Sequence, residues 1–538
     1  MTIKKKFCLL VAMIMAVSLL TACAPQQGSD EEEYPMDKIV PISIEDTGNA
    51  EKVIRTENFK IADNLKESLS AIELSPIFSN VMILQANVVT RIWGKSEHNG
   101  GLAVRLTDES GAQEIFYGQI ADGQFEIYLG AQDYKKNCTL ELITEDGMKR
   151  TLANVAFGEI FIGGGQSNMG WKVGQCYEGN TSQLLYSREI EESYNENIRL
   201  FGVLPRTSQE PTDDMQSSTG GWQIAQPGIV SNFSACGYFF AKEIEEKYDI
   251  PVGIVSSCMG GTNIFTWMPE EEVQQAQGSE NMDLSSYYNA MIYPIRHFVV
   301  RGVLWYQGEG DNGQYYAQNL SLLIQGWRRA FARENLFFAI VQLPRYAADD
   351  FGYFYRREAQ KNAALQTKNC TYSVNIDLGL MAKDVAEGDT SNPEGIHPYD
   401  KKPLGERLAH SVMEKLYKAE GIWRGAVMDS VEVSKNTAQI RYTNVGAGLV
   451  LKGEAGFEAA GADGKFYPCR PELISADTVK LVCDEVKEIK QIRYGYTSKN
   501  PFMDAMDSYA DSVCLYNSKG DNKQAAYPAE QFLWQDKD

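Results

Sequence analysis

A chain of 538 residues carries 51 Lys and Arg against 72 Asp and Glu, a formal net charge of -21, with 43% hydrophobic and 23% charged residues. That length exceeds one compact core and implies about three or four folded units. The charge repels phosphate backbones and anionic membrane surfaces and so excludes nucleic acid as an expected partner, and the composition is globular, not collagen-like, disordered or many times membrane-spanning.

At the start of the chain Lys4, Lys5 and Lys6 precede an apolar run, Phe7 to Leu20, that is short for a membrane span. Residues 1–22 therefore read as an export signal. Its end, Leu20-Thr21-Ala22-Cys23, resembles a bacterial lipobox, which implies cleavage before Cys23 and a diacylglyceryl group on that thiol. The expectation is an exported lipoprotein held to a membrane at the cell surface or in the periplasm. Residues 23–70 are mostly polar, with an acidic run from Asp30 to Glu33, and read as a solvated tether.

Residues 71–155 alternate with period two, as in Leu102, Val104 and Leu106 or Phe125, Ile127 and Leu129. Asp122-Gly123 between two such runs is a hairpin signal, and a β-sandwich-like unit is the economical reading.

Over residues 156–420 the pattern becomes short continuous apolar runs separated by helix-period segments, which predicts a parallel sheet flanked by helices, an α/β domain. The expected strands are Glu159–Ile162, Val252–Ser256, Gly302–Gln307, Leu336–Gln342 and Thr371–Asp377. One helix is expected around Leu320, Leu323, Ile324 and Trp327, another around Leu404, Leu408 and Val412. Residues 421–538 return to period two and predict a β-rich C-terminal unit.

Eight cysteines beyond Cys23 have no framework spacing, no Cys-x-x-Cys occurs, and no His opens a His-Glu-x-x-His. Neither a metal site nor a cofactor is expected.

Three glycine-rich strings follow predicted strands, at the carboxyl edge where open parallel sheets bind ligands. The first is Gly163-Gly164-Gly165-Gln166-Ser167-Asn168-Met169-Gly170. It lacks the Gly-Lys-Ser/Thr of a phosphate loop, and Met169 stands where a nucleophile elbow has glycine. The second is Ser257-Cys258-Met259-Gly260-Gly261-Thr262, and the third is Trp305-Tyr306-Gln307-Gly308-Glu309-Gly310-Asp311. Glu309 and Asp311 also permit a glycosidase reading with paired carboxylates. Of four histidines, only His397 lies in a loop with a nearby upstream carboxylate, in Glu394-Gly395-Ile396-His397-Pro398. A serine nucleophile needs such a base, and the base an orienting acceptor.

The strings GGGQSNM, SSCMGGTNIFTW, GVLWYQGEGD and GIHPYDKKPLGERLA, in that order, resemble the blocks of sialate O-acetylesterases and related carbohydrate esterases of the SGNH-hydrolase superfamily. The resemblance implies an SGNH-type fold with β-rich units before and after it, and a serine esterase that removes O-acetyl groups from sialic acids or plant polysaccharide without a cofactor. Ser167 matches the nucleophile and His397 the base. The oxyanion hole would use the backbone N–H of Ser167, one from Gly260 or Gly261, and the Gln307 side chain. Many of these enzymes have Asp three residues before the His, where this chain has Glu394; Asp389 or a backbone carbonyl are the alternatives. Trp171, Trp267 and Trp305 are candidate sugar-stacking surfaces. The competing class is a non-catalytic carbohydrate-binding lipoprotein on the same fold.

Overall fold

A computed structural model of the chain describes residues 59–536 except 312, 347–351, 381–383, 393–394, 497–512 and 520–523. Strands β1 (Ile83–Gln85), β2 (Thr90–Lys95), β3 (Gly100–Thr107), β4 (Gln113–Ala121), β5 (Gln124–Leu129) and β6 (Lys135–Thr144) precede a long strand, β7 (Met148–Gly165). The expected hairpin joins β4 to β5, with Asp122 at φ 54° and Gly123 at φ 74°, the left-handed pair that a two-residue turn between twisted strands requires.

The α/β part adds β8 (Asn195–Gly202), β9 (Val252–Cys258), β10 (Gly302–Tyr306), β11 (Phe337–Val341) and β12 (Cys370–Ser373). Four of the five strands expected there form within a few residues of their expected ends, and the fifth, Glu159–Ile162, is the interior of the much longer β7. Helices α1 (Ser167–Gly170), α2 (Ala235–Tyr248), α3 (Gly313–Ala330), α4 (Gly352–Gln366) and α5 (Lys402–Lys415) lie between and after them. In α3, Leu320, Leu323, Ile324 and Trp327 are buried on one stripe, as their spacing demands.

β7 pairs antiparallel with β6 through its first half, then runs parallel between β9 and β10. The expected boundary at residue 155/156 thus falls inside one continuous strand, and the N-terminal β strands and the parallel strands share one sheet. The pattern changes there because the second half of β7 is covered on both faces: residues 155–165 are all buried. The parallel order is β8-β9-β7-β10-β11-β12. The chain crosses from β9 to β10 over β7, so the sheet changes winding direction there and leaves a crevice beyond the carboxyl ends of those three strands.

The C-terminal part is antiparallel and β-rich, as expected. β13 (Val427–Ser434), β14 (Thr437–Thr443), β15 (Arg470–Leu473) and β16 (Thr478–Val482) form a sheet in the order β13-β14-β16-β15, accompanied by two further sheets of three and four strands. It is joined to the α/β part by buried polar contacts: Glu530 accepts from Tyr372 at 2.7 Å and pairs with Lys361 at 2.7 Å. Cys23, the leader and most of the tether lie outside the described residues. Among the described residues no helix is long and apolar enough to cross a membrane.

Candidate active site

The crevice beyond β9, β7 and β10 receives all three glycine-rich strings. β7 ends on Gly165 at φ 131°, where a Cβ would stand 2.1 Å from the Tyr306 carbonyl of β10, so only glycine lets the strands close up. The next side chain, Gln166, is buried, and its Oε1 accepts from Gln307 Nε2 at 3.2 Å and from the backbone N–H groups of Gly308 and Gly310 at 3.4 and 3.3 Å. One amide thereby ties the first string to the third. Ser167 opens α1 half-buried. Gly260 of the second string lies against it: a Cβ on Gly260 would be 3.3 Å from that of Ser167, whereas one on Gly261 would meet nothing.

His397 comes from 230 residues away, and its Nε2 lies 2.8 Å from Ser167 Oγ. Three contacts aim it. Asn392 accepts from the His397 N–H at 2.8 Å and donates to its carbonyl at 2.9 Å. Trp171 stacks on the imidazole, centroids 4.3 Å apart and planes 19° apart. The carbonyl of Ile396 accepts from Asn168 Nδ2 at 3.1 Å. His397 is 7% exposed, and burial first, then the nearby Lys401 charge, push its pKa down to about 3; the Asp389 carboxylate and the Ser391 backbone oppose this and are outweighed. Among the described residues its Nδ1 meets no side-chain acceptor; the hydrogen-bonding group that raises its pKa is the Ser391 backbone, the backbone alternative to a carboxylate.

Glu394 lies outside the described residues. The alternative acid, Asp389, is occupied elsewhere: it accepts from Tyr399 at 2.7 Å and from the Ser391 hydroxyl and N–H at 2.5 and 3.0 Å.

The geometry corrects the expectation for Gln307. Its side chain is fully buried, and its amide nitrogen donates to Gln166 Oε1, to the Thr262 carbonyl and to Asp311, while Tyr316 donates to its Oε1 at 2.7 Å. With its two N–H donors turned to interior acceptors, Gln307 supports the turn and presents none of them to the crevice. The three tryptophans are corrected likewise. Trp171, Trp267 and Trp305 are 5%, 0% and 0% exposed and offer no face to a sugar. Asp311 accepts from Ile264 N–H at 3.1 Å and Glu309 from Asn168 at 2.5 Å, so the glycosidase carboxylates are structural partners here. Burial raises both above the ordinary carboxylate range, Asp311 to about 6.

The other histidines stand away from the serine: His98 pairs with Asp146, His297 lies edge-on to Trp93, and His410 joins Glu243 and Tyr527. Sequence reasoning did not single out Asn168, Trp171 as a partner of the base, Asn392 or Lys401. Asn168 and Lys401 lie inside the quoted strings, but nothing local distinguishes Lys401, fully buried, from its half-exposed neighbour Lys402.

Residues 157–413 match the family model described as carbohydrate esterase, sialic acid-specific acetylesterase. The chain is 25% identical over 416 residues to the sialate O-acetylesterases of Homo sapiens and of Pongo abelii, in each case covering 70% of this chain and 75% of the relative. A crystal structure of a carbohydrate acetylesterase from Xanthomonas citri superposes with a TM-score of 0.72 at 26% identity, covering 86% of this chain and 99% of that one.

Proposed function

We propose, for a chain that is a sialate O-acetylesterase-like carbohydrate esterase and hence a carboxylic ester hydrolase, that it removes O-acetyl groups from carbohydrate through an acetyl-enzyme formed on Ser167. The observation that carries the mechanism is the 2.8 Å contact between Ser167 Oγ and His397 Nε2 at the crevice of the parallel sheet. His397 takes the Ser167 proton as Oγ attacks the acetyl carbonyl, and returns it to the departing sugar oxygen. Water then attacks the acetyl-enzyme with His397 again as base and releases acetate. The developing oxyanion is held by backbone N–H groups, that of Ser167 and that of Gly260, the glycine packed against it.

An imidazole with so depressed a pKa is a weak base, and a carboxylate on Nδ1 would strengthen it. We assign that role to Glu394, three residues upstream of His397. Its support is this spacing, the lack of a side-chain acceptor on Nδ1 among the described residues, where the Ser391 backbone is the competing group, and the engagement of Asp389 by Tyr399 and Ser391.

The substrate classes are acetylated sialic acids and acetylated plant polysaccharide. The net charge of -21 slows encounter with an anionic glycan, so salt should raise kcat/KM on sialosides and leave neutral polysaccharide unaffected. Acetate released from O-acetylated sialoglycan, xylan and mannan, with Ser167→Ala as control, tests the proposal. Release that persists in the variant, or no release above buffer from any ester, overturns it, and the second result favours the carbohydrate-binding reading. Anchoring through lipid on Cys23 is a further proposal, supported by Lys4–Lys6, the apolar run and the lipobox-like end. Cys23→Ala should leave the membrane fraction; unchanged fractionation refutes it.

A further inference from the structure

A lysine ammonium buried away from water is costly and persists only where something holds it. Lys401 immediately precedes α5, four residues after His397, and is completely buried. Its Nζ donates to Asn168 Oδ1 and lies 5.2 Å from the centroid of the Tyr306 ring. Asn168 is itself 1% exposed and follows Ser167 directly.

This contact sets the orientation of the Asn168 amide. A lysine only donates, so Oδ1 must face it, and Nδ2 then faces two acceptors, Glu309 Oε1 at 2.5 Å and the Ile396 carbonyl at 3.1 Å. A single amide thus touches the turn that carries Ser167, the turn after β10 and the loop that carries His397. Among the described residues the second oxygen of Glu309 has no side-chain partner, and Asn168 is the side chain that aims the carboxylate.

We propose that Lys401 is a positioning residue for the ester hydrolysis, its buried ammonium orienting Asn168 so that the nucleophile turn and the His397 loop are held in register. The inference rests on the reading of Ser167 and His397 as nucleophile and base. It carries an electrostatic consequence. Among the described residues Lys401 and Asp389 are the charged groups that act on His397, in opposite directions, and Lys401 disfavours the imidazolium, keeping the base free of a proton in acid. Lys401 in turn faces Glu309 and the thiols of Cys176 and Cys236, and Glu309 faces Lys401 and Arg356. Burial lowers Lys401 to about 8, so it is charged throughout the acid range in which His397 would titrate.

The test measures kcat, KM and the pH dependence of kcat/KM on a chromogenic acetyl ester for wild type, Lys401→Met, Lys401→Arg and Asn168→Leu, with a thermal melt of each. Lys401→Met should lower kcat about a hundredfold, the loss that an ångström of misplacement produces, with KM within about twofold. Its acid limb should move up by about one pH unit, the effect of removing a like charge. Lys401→Arg, which keeps the charge, should hold the limb at its wild-type position. A Lys401→Met protein with wild-type kcat and limb, or with only a lower melting temperature, overturns the inference. Should Lys401→Met fail to fold, Asn168→Leu decides: lost kcat at preserved KM supports the inference, wild-type kcat overturns it. Ser167→Ala separates the two levels, because activity surviving in it defeats the underlying reading however Lys401→Met behaves.

Discussion

One strand carries two buried polar clusters of opposite character. Toward the start of the parallel half of β7, Glu159 is 1% exposed and receives four donors: Gln85 at 3.2 Å, Tyr134 at 2.9 Å, Tyr417 at 3.0 Å and Arg301 at 2.8 Å. Just beyond its other end, Ser167, His397, Asn168, Glu309 and Lys401 are as crowded, yet among the described residues His397 Nδ1 and Glu309 Oε2 have no side-chain partner. Both clusters bring together residues far apart in the chain. In the first, every lone pair of the carboxylate is used and nothing is left to react. In the second, polar groups are held in place by their neighbours around a half-buried Ser167 hydroxyl that meets His397.

The sharpest break between the clusters is the nucleophile itself. Ser167→Ala should lower turnover by about 10^6-fold, as loss of a nucleophile does elsewhere, with an unchanged circular dichroism spectrum; a fluorophosphonate should label wild type and spare the variant. Residual turnover above about a hundredth of wild type would place the chemistry on another residue.

Next in size is the orienting acid. Glu394→Gln should reduce kcat by about 10^4-fold, the loss seen when a serine-triad carboxylate becomes an amide, whereas Asp389→Asn, whose carboxylate is held by Tyr399 and Ser391, should cost about tenfold or less. A crippled Asp389→Asn beside an active Glu394→Gln would reverse the assignment.

At the Glu159 end the order of effects inverts. Glu159→Gln leaves Arg301 buried against a neutral amide and should destabilise the fold by about 3–5 kcal/mol, read as a lower urea midpoint, with kcat per folded molecule unchanged. Loss of kcat without loss of stability would mean that the two ends of β7 are coupled in catalysis.

The smallest effect concerns acid. The folded pKa of His397, depressed to about 3, lies below its unfolded value of about 6.5, so the unfolded chain binds the proton first. His397 then costs stability as pH falls from about 6.5 toward 3, and nothing above that window. Burial and Lys401 also keep the base neutral against the Asp389 carboxylate and the Glu394 carboxylate assigned to Nδ1, so kcat/KM should hold below the ordinary histidine midpoint. An acid limb at about pH 6.5 would show that His397 is as easily protonated as an exposed imidazole.

Local pattern was enough for the elements named from the sequence, and not for β8, α2 or α4. A period of two made β3 and β5 legible, continuous apolar runs made β9 to β11 legible, and a 3.6-residue stripe made α3 legible, because each period records which face meets the core. The boundary at 155/156 was less well defined: a change of pattern reports a change in coverage of the strand, and β7 passes through that change without a break. The four motif strings in their order, through their resemblance to sialate O-acetylesterases, carried the esterase reading, with Ser167 and His397 at its centre.

What the sequence by itself determined, then, is which residue types sit at the carboxyl edge of a parallel sheet and in what order. Tertiary structure alone decided their duties. Gln307 is turned inward by Asp311, Thr262 and Gln166; Trp171 backs the base instead of a sugar; Asn392 clamps the His397 backbone; and Lys401 is buried while Lys402 reaches Glu189 at a half-exposed position. The physical reason is that a hydrogen-bonding side chain takes its role from the acceptors and donors that other parts of the chain bring to it, and those arrive from far away in sequence, 233 residues for Asn168 and Lys401 and 258 for Glu159 and Tyr417.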